Sequence, residues 1–244
     1  MDAAIYDRMT KIDETHWWFR ARRRIIATLL DRYAPARRPL QLLEVGCGTG
    51  SNIRLLQRYG VVEALEPNDG AREFSSHRTG IDIKSGFLPD GVDLEDDRYD
   101  LIALLDVLEH IPEDAGTLML LRKKLSLGGV LLITVPAIPW LWSKHDVAHH
   151  HQRRYTERSL RSVLDGAGFE VEHLTHFNSL LLPIIVATRA IGKLTKRTGG
   201  DDNVPPPPVN AMLERVFGFE RYWAARFRFP FGVSLAAVAR RRDD

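Results

Sequence analysis

The chain has 244 residues, which is enough for one large α/β domain or for a domain with a lid, and enough to bury a substantial core. Charged residues make up 27% and hydrophobic residues 44%, a balance typical of a soluble globular protein. The formal net charge of +2 excludes the strong positive field of a broad nucleic-acid-binding face, so we expect no nucleic-acid partner. Arginine clusters within residues 20–24 and 240–242 are expected to form a solvated helix face and a tail.

A single cysteine, Cys47, means that no internal disulfide can form. The N-terminus is polar and shows no apolar core of a signal peptide. Both features favour a reducing, cytoplasmic compartment.

The first 38 residues read as helical, because apolar residues recur there at helical spacing and prolines end the segment. Between two apolar stripes lie three adjacent aromatic residues, Trp17, Trp18 and Phe19. Successive side chains on a helix point in different directions, so the three cannot all face one core. We therefore predict a helical clasp that either packs on the main domain or covers a ligand in a cleft.

A glycine-rich stretch follows at residues 42–50, with the sequence Leu-Leu-Glu-Val-Gly-Cys-Gly-Thr-Gly. Apolar residues resume after it at helical spacing, which predicts a strand, a tight turn and a helix. Glycine lets the backbone of such a turn approach a ligand closely, and a helix N-terminus favours polar or anionic groups. The Gly-x-Gly-x-Gly spacing is one residue shorter than the dinucleotide fingerprint of NAD or FAD sites.

Further strand patterns end in polar residues. Glu66 closes the second pattern, sixteen residues beyond Gly50, where a carboxylate can accept hydrogen bonds from both hydroxyls of a ribose. The third pattern covers residues 81–84, and the fourth covers residues 99–105 and ends at Asp106. A helix at 118–127 and a Gly-Gly turn precede the fifth. Strands connected by helices in this order form a parallel sheet with ligands beyond its carboxyl ends.

Residues 42–136 together resemble the class I S-adenosylmethionine-dependent methyltransferases. The motifs that carry the resemblance are Glu-Val-Gly-Cys-Gly-Thr-Gly at 44–50, Tyr-Asp-Leu-Ile at 99–102, Asp-Val-Leu-Glu-His-Ile at 106–111 and the Gly-Gly strand ending at 136. The His-Trp-Trp-Phe sequence at 16–19 is similar to the opening of a bacterial subgroup of these enzymes. The resemblance implies S-adenosylmethionine as cofactor, with contacts from Glu44, Gly46, Cys47, Gly48, Gly50, Asn52, Glu66, Pro67, Gly86, Phe87, Leu88, Asp106, Val107 and His110.

Within this set, the resemblance implies a separate role for each group of residues. The glycines hold the amino-acid part of the cofactor, and Glu44 and Asp106 lie near its ammonium group. Glu66 binds the ribose and Phe87 contacts the adenine. An acid in the position of Glu66 also suits an NAD-dependent dehydrogenase, so it does not by itself separate the two classes.

The loop at residues 137–155 follows the fifth strand and is rich in histidine. The loop is similar to a feature of the same bacterial subgroup, matched by His145, Asp146, His151, Arg153, Arg154 and Tyr155. His145 or His151 can take the proton from an accepting hydroxyl, although methyl transfer can also proceed by alignment alone. A metal is not predicted, because adjacent histidines cannot all aim at one ion and no ligand spacing is evident.

An insertion separates the sixth strand pattern, at 169–177, from the last one, at 233–239. It contains a short apolar run at 180–187, a proline-rich linker through residue 208 and a helix rich in aromatic residues. The apolar run is too short to span a membrane. It can pack as a lid, line an apolar acceptor pocket or lie on a membrane surface, which keeps a lipid-linked acceptor and peripheral membrane contact open.

We therefore predict an α/β fold with a Rossmann-like, doubly wound, seven-stranded sheet whose last strand is antiparallel. The predicted parts are a helical clasp (1–38), a cofactor-binding core (39–178), a helical lid insertion (179–230), and the last strand with a basic tail (231–244). The predicted function is S-adenosylmethionine-dependent methylation of a small molecule at oxygen, on a quinone-, lipid- or glycan-pathway-like acceptor. The alternatives are an NAD-dependent oxidoreductase and a non-catalytic scaffold that binds a membrane or a partner.

Overall fold

The computed structural model describes residues 3–195 and 204–242. Within them, seven strands form one sheet in the order β3-β2-β1-β4-β5-β7-β6. The strands are β1 Leu40–Val45, β2 Gly60–Leu65, β3 Ile83–Lys84, β4 Tyr99–Leu105, β5 Leu125–Pro136, β6 Phe169–Phe177 and β7 Ser234–Arg241. The α-helices are α1 Ala3–Ile12, α2 Trp17–Tyr33, α3 Ile53–Leu56, α4 Asp69–Thr79, α5 Asp114–Lys124, α6 Lys144–Ala148, α7 Glu157–Gly166, α8 Leu182–Thr195, α9 Pro207–Phe219 and α10 Arg221–Ala224.

The first five strands pair in parallel, whereas β7 pairs antiparallel with both β5 and β6. The predicted sheet and its antiparallel last strand are thereby confirmed. Connections from β1 lead to β2 on one side and later to β4 on the other, so the strand order reverses between β1 and β4. Neighbouring connections diverge at such a point and leave a crevice beyond the carboxyl ends of the strands.

Each face of the sheet buries its own apolar cluster, because successive side chains of a strand point to opposite faces. On β1, Leu42 belongs to the cluster that includes Ile25 of α2. The next residue, Leu43, belongs to the cluster that includes Leu118 of α5. All four side chains are fully buried or nearly so, which fixes the register of the central strand.

The clasp helix α2 and the inserted helix α9 form one layer on the first of these faces. Phe217 of α9 is fully buried, and its ring lies 5.8 Å from that of Trp17 in an edge-on arrangement. The backbone N–H of Trp17 donates to Oδ1 of Asn210 at 2.9 Å. Glu214 forms an ion pair with Arg24 at 2.5 Å. The inserted helix is therefore part of the core packing.

Three boundaries differ from the sequence-based expectation. Helix α3 has a single turn, and α5 ends at Lys124, so residues 125–129 belong to β5. The strand starts early because Leu125 pairs with Tyr99, and the extra residues of β5 before Val130, which include the two glycines, form an irregularity opposite Tyr99–Leu101. Helix α9 begins at Pro207 within the expected linker, because a helix needs no backbone N–H in its first turn. Residues 196–203 of that linker lie outside the described residues.

Candidate cofactor and acceptor site

The glycine-rich turn lies directly after β1, where Gly46 and Gly48 have φ angles of 65° and 55°. A Cβ atom on Gly46 would lie 2.9 Å from a methyl carbon of Val107, so only glycine lets the chain pass the end of β4. A Cβ atom on Gly48 would meet no atom within 4 Å. The backbone at Gly48 therefore faces open space that a ligand can fill.

This open space is a cavity of about 790 Å³ beyond the carboxyl ends of the strands. Most of the residues that the sequence nominated line it, and the arrangement fits an elongated polar ligand with a nucleoside. The nominated residues in the lining are Gly46, Cys47, Gly48, Asn52, Glu66, Pro67, Gly86, Phe87, Leu88, Asp106, Val107, His110, His145 and His151. Their contacts with a cofactor or acceptor stay predictions.

Glu44 and Gly50 were also nominated as cofactor contacts, but neither lines the cavity. Oε1 of Glu44 accepts a hydrogen bond from Nδ2 of Asn52 at 3.0 Å, so Glu44 holds a lining residue from behind. Its side chain is buried, and this burial raises its pKa to about 7. Gly50 instead lets the turn pack on α4, since a Cβ atom there would lie 3.0 Å from Cβ of Ser75.

The carboxylate of Glu66 is buried at the end of β2 and oriented by backbone donors. Its Oε2 atom accepts from the N–H of Gly48 at 2.8 Å, and its Oε1 atom accepts from the N–H of Asn68 at 2.9 Å. The hydroxyl of Tyr6 in α1 also donates to Oε1, at 3.1 Å. Burial and the charge of Glu66 raise the pKa of Tyr6 above its usual value. The sequence pattern around Tyr6 carried no signal for this contact.

Asp13, just after α1, fastens the clasp to the glycine-rich turn. Its side chain is fully buried and accepts from Oγ1 of Thr49 at 2.6 Å. Arg78 of α4 forms a two-pronged ion pair with the same carboxylate, at 2.6 and 3.0 Å. The clasp thus contacts both the turn and the helix behind it through one buried acid.

Asp106 follows β4 with a φ angle of 59° and pairs with an arginine of the clasp. Its Oδ2 atom lies 2.5 Å from a guanidinium nitrogen of Arg22, which also donates to Oγ1 of Thr134 at 2.9 Å. Arg22 is 3% exposed, and its guanidinium lies 5.1 Å from the ring centre of Trp18. The expectation that residues 20–24 form a solvated face is therefore wrong for Arg22, because α2 crosses the end of the sheet and buries it.

The adjacent aromatic residues of the clasp contact both the core and the cavity. Trp17 packs against Phe217, and Trp17, Trp18 and Phe19 all line the cavity. The clasp therefore packs on the main domain, and its contact with a ligand stays a prediction.

The histidine-rich loop is organised around the fully buried Asp146. Its carboxylate accepts from Nε of Arg154 at 2.7 Å and from the N–H of Ser143 at 2.8 Å. Nδ1 of His151 lies 2.9 Å from the same carboxylate. Burial opposes ionisation, but the hydrogen bonds from His151 and Arg154 outweigh it and hold the pKa of Asp146 well below its usual range. An ionised Asp146 therefore fixes the orientation of the His151 ring.

Several histidines meet at this wall of the cavity. The ring centres of His110 and His151 are 4.7 Å apart, and those of His145 and His149 are 4.0 Å apart. Burial lowers the pKa of His110 to about 3, and the charges of the neighbouring His151 and His149 add to this effect. The His110 imidazole is therefore neutral near pH 7.

Glu109 lies beneath this group and was not nominated from the sequence. It is 1% exposed, and burial together with the charge of Asp106 raises its pKa well above the usual value. Glu109, His110 and His151 each offer a ligand atom, and these atoms lie within 4.8 Å of one another. No metal was predicted from the sequence, and this grouping forms only when residues some forty positions apart meet in the fold.

The end of the inserted segment exposes aromatic residues next to arginines. Four aromatic side chains are each between 53% and 62% exposed, namely those of Phe219, Tyr222, Phe227 and Phe231. Arginines 221, 226 and 228 alternate with them, and the acid of this stretch, Glu220, is buried. We call residues 219–231 the aromatic–arginine surface. Among the described residues, the helices are all too short or too polar to cross a bilayer.

Comparisons with known proteins agree on one family. A methyltransferase domain family model matches residues 18–174. A protein of Mycolicibacterium smegmatis named "Probable S-adenosylmethionine-dependent methyltransferase" is 27% identical over 163 residues, which are 65% of this chain. The match spans 62% of that relative, less than two thirds of its length.

Solved structures share the fold. The chain seen in complex with the Trm112 methyltransferase activator of Haloferax volcanii has a TM-score of 0.67 at 20% identity, covering 99% of this chain and 96% of that one. An S-adenosylmethionine-dependent methyltransferase of Mesorhizobium loti has a TM-score of 0.60 at 17% identity, covering 93% and 99%.

The family model covers more than half of the chain and includes the glycine-rich turn, Glu66, Asp106 and His151. The predicted family, enzyme class and cofactor are confirmed at the level of the family, which disfavours the nicotinamide-dependent alternative. The chain belongs to the methyltransferase domain family and has the fold of the class I S-adenosylmethionine-dependent methyltransferases.

Proposed function

We propose that this protein transfers a methyl group from S-adenosylmethionine to a hydroxyl oxygen of a small-molecule acceptor. The observation that carries the cofactor assignment is the buried Glu66 carboxylate beside the open backbone of Gly48, in a cavity of about 790 Å³. A carboxylate held in this way can accept both hydroxyls of a ribose. When bound, the cofactor supplies an electrophilic methyl group on a positively charged sulfur.

The lining residues divide the cavity between the parts of the cofactor. Gly46, Gly48 and Asp106 would hold the amino-acid part, and Glu66 would hold the ribose. Phe87 is 69% exposed and lies in the loop beyond β3, where it can cover the adenine. Glu44 acts indirectly in this arrangement, because it positions Asn52.

The histidine wall supports an acceptor with a hydroxyl group. As the oxygen is methylated it must lose its proton, and His145 and His151 both line the cavity where a base is needed. Asp146 fixes the orientation of the His151 ring, which supports His151 as this base. Alignment of donor and acceptor can contribute several kcal/mol in addition, without any catalytic side chain.

We also propose that the acceptor is lipid-linked and that the protein reaches it at an anionic membrane surface. Helices α8 and α9 contribute Ile185, Thr188 and Leu213 to the cavity lining, so the inserted segment borders the acceptor space. Beyond α9, the aromatic–arginine surface combines rings that enter a lipid interface with charges that attract anionic headgroups.

Calorimetric titration with S-adenosylmethionine and S-adenosylhomocysteine tests the cofactor assignment. We expect micromolar binding, about −8 kcal/mol, by the wild type and a loss of at least about tenfold in Glu66→Gln. Glu172→Gln, at an exposed ion pair with Arg240, is the matched control and keeps full affinity. A folded wild type that binds neither compound contradicts the proposal and favours a scaffold.

Vesicle sedimentation tests the membrane contact. We expect the wild type to bind phosphatidylglycerol vesicles more strongly than phosphatidylcholine vesicles, and the double variant Phe227→Ser/Phe231→Ser to lose this binding. Leu127→Ser, at a 71% exposed position on β5, serves as the control. Equal binding by the double variant and the wild type would rule out this surface as the contact.

A further inference from the structure

Glu109, His110 and His151 bring a carboxylate and two imidazoles together at the acceptor side of the cavity. Their ligand atoms lie within 4.8 Å of one another, so small side-chain rotations can bring all three to one ion. Glu109 and His110 belong to the turn at Leu108–His110 after β4, and His151 comes from the loop after β5. The turn after β4 and the loop after β5 therefore position the three side chains together.

The state of Glu109 points independently to a missing partner. The residue is 1% exposed, and neither of its carboxylate oxygens accepts a hydrogen bond from any other residue that the structure describes. A buried carboxyl group without a donor is costly, because it loses its hydration and gains nothing in return. A cation bound between Glu109 and the two rings would supply the missing interaction.

His151 has the second hydrogen bond that metal-ligating histidines typically make. Its Nδ1 atom lies 2.9 Å from a carboxylate oxygen of Asp146, and this contact favours the tautomer with the proton on Nδ1. Nε2 then carries the lone pair that a metal ion needs. Arg154 holds Asp146 in place with two hydrogen bonds, at 2.7 and 3.0 Å, so the ring orientation is set before an ion binds.

The charges around the group also suit a cation. Asp106 pairs with Arg22, and Asp146 pairs with Arg154. Each of these two acids is neutralised by its own arginine, whereas Glu109 has no basic partner at ion-pair distance among the residues that the structure describes. A divalent ion at Glu109 would supply the positive charge that Arg22 and Arg154 supply to the other two acids.

We propose that Glu109, His110 and His151 bind a divalent first-row transition-metal ion, such as Mn²⁺, Fe²⁺, Co²⁺ or Zn²⁺. Two imidazoles and a carboxylate are ligands that these ions favour, and three protein ligands leave positions open for water or for the acceptor. The role in methylation rests on the proposed function: a bound ion lowers the pKa of a hydroxyl group attached to it. With His151 engaged by the ion, His145 remains as the group that takes the proton.

Metal binding can be measured without cofactor or acceptor. Wild-type protein freed of metal with a chelator is titrated with Co²⁺, and the visible absorption of the bound ion reports stoichiometry and geometry. We expect one ion per chain, and affinities lowered at least about tenfold in Glu109→Gln and His151→Ala, with a smaller loss in Asp146→Asn. His77→Ala, an exposed histidine on α4, should bind Co²⁺ as the wild type does.

The outcomes separate this inference from the proposed function. Wild-type affinity in folded Glu109→Gln, or an equal loss in His77→Ala, overturns the metal site. Binding of S-adenosylhomocysteine without binding of Co²⁺ overturns the metal site alone. Binding of Co²⁺ without binding of S-adenosylhomocysteine supports the metal site and overturns only the methyltransferase proposal. Circular dichroism of each variant confirms that the comparison is made between folded proteins.

Discussion

The hydroxyl of Tyr6 lies 3.1 Å from Oε1 of Glu66 and donates a hydrogen bond to it. The carboxylate proposed to bind a ribose is thus already in contact with the first helix. A ribose hydroxyl that approaches the same oxygen has to share it with Tyr6 or displace it. Under the proposed binding mode, helix α1 and the cofactor would compete for one acceptor.

We expect Tyr6→Phe to bind S-adenosylhomocysteine more tightly than the wild type. In the wild type, the ribose has to displace the hydrogen bond from Tyr6, which is worth about 1 kcal/mol. The variant has no such bond to displace, and the difference corresponds to about a fivefold lower Kd. Calorimetry measures the change, with Tyr222→Phe at the exposed end of the inserted segment as control. Weaker binding by Tyr6→Phe would show that the hydroxyl belongs to the binding site.

Removing Asp106 and removing Arg22 from their ion pair should lower the stability of the protein by different amounts. The side chain of Arg22 is 4% exposed, whereas that of Asp106 is 23% exposed. Asp106→Asn leaves a buried guanidinium without its counter-charge, so we expect the free energy of unfolding to fall by about 3–5 kcal/mol. Arg22→Met should cost less, because it removes the charge that needs a partner.

Urea denaturation of both single variants and the double variant measures this coupling. We expect the double variant Arg22→Met/Asp106→Asn to be more stable than Asp106→Asn. If Asp106→Asn is no less stable than Arg22→Met, the ion pair does not contribute in the way described.

Glu44 gives stability a defined pH dependence. Burial raises its pKa from 4.5 to about 7 in the folded protein, so the folded state holds the proton more tightly than the unfolded state. The associated stabilisation is present below pH 4.5 and is lost as the pH rises towards 7, a change of about 3 kcal/mol. Glu44→Gln cannot titrate and should lack this decline.

Urea denaturation between pH 5 and pH 8 tests the prediction as the difference between wild type and Glu44→Gln. The exposed variant Glu172→Gln should follow the wild-type profile. Parallel profiles for wild type and Glu44→Gln would mean that Glu44 titrates near its ordinary value.

Glu220 joins the inserted segment to the end of β6. Its carboxylate accepts from the backbone N–H groups of Asn178, Ser179 and Leu180, at 2.6, 2.7 and 2.9 Å. Glu220→Ala leaves these donors without an acceptor, at a cost of about 1–3 kcal/mol for each buried one. We expect the three amides to exchange hydrogen faster, and Glu220→Gln to restore part of the protection. Unchanged exchange in Glu220→Ala would show that water replaces the carboxylate at no cost.

The elements that the sequence predicted well are those set by local pattern. The strands from Leu40 to Pro136 alternate with helices, and the glycines at 46 and 48 mark the turn, because each of these signals lies within a few residues. The position of Glu66 followed from its distance to that turn. Such features could be read before any contact was known.

The rest depends on contacts between distant segments. From the sequence alone, Arg22 resembles a surface arginine. It is buried because α2 crosses the end of β4, where Arg22 meets Asp106. Glu109 stands in a recognisable motif, but its grouping with His151 requires the loop after β5 to fold back over it. The sequence pattern placed Pro207 in a linker. Its actual position at the start of a helix depends on how α9 packs on α2, which the local pattern does not contain.

The packing of α9 on α2 also determines how molecules can leave the cavity. Glu214 and Phe217 tie these helices together, so they form a fixed wall over the sheet. If the cofactor binds as proposed, we expect it to exchange on the side of α1 or of the exposed Phe87 loop. Return of the Tyr6 hydroxyl to Glu66 would then displace the ribose and speed product release, so turnover would depend on how readily α1 docks and undocks.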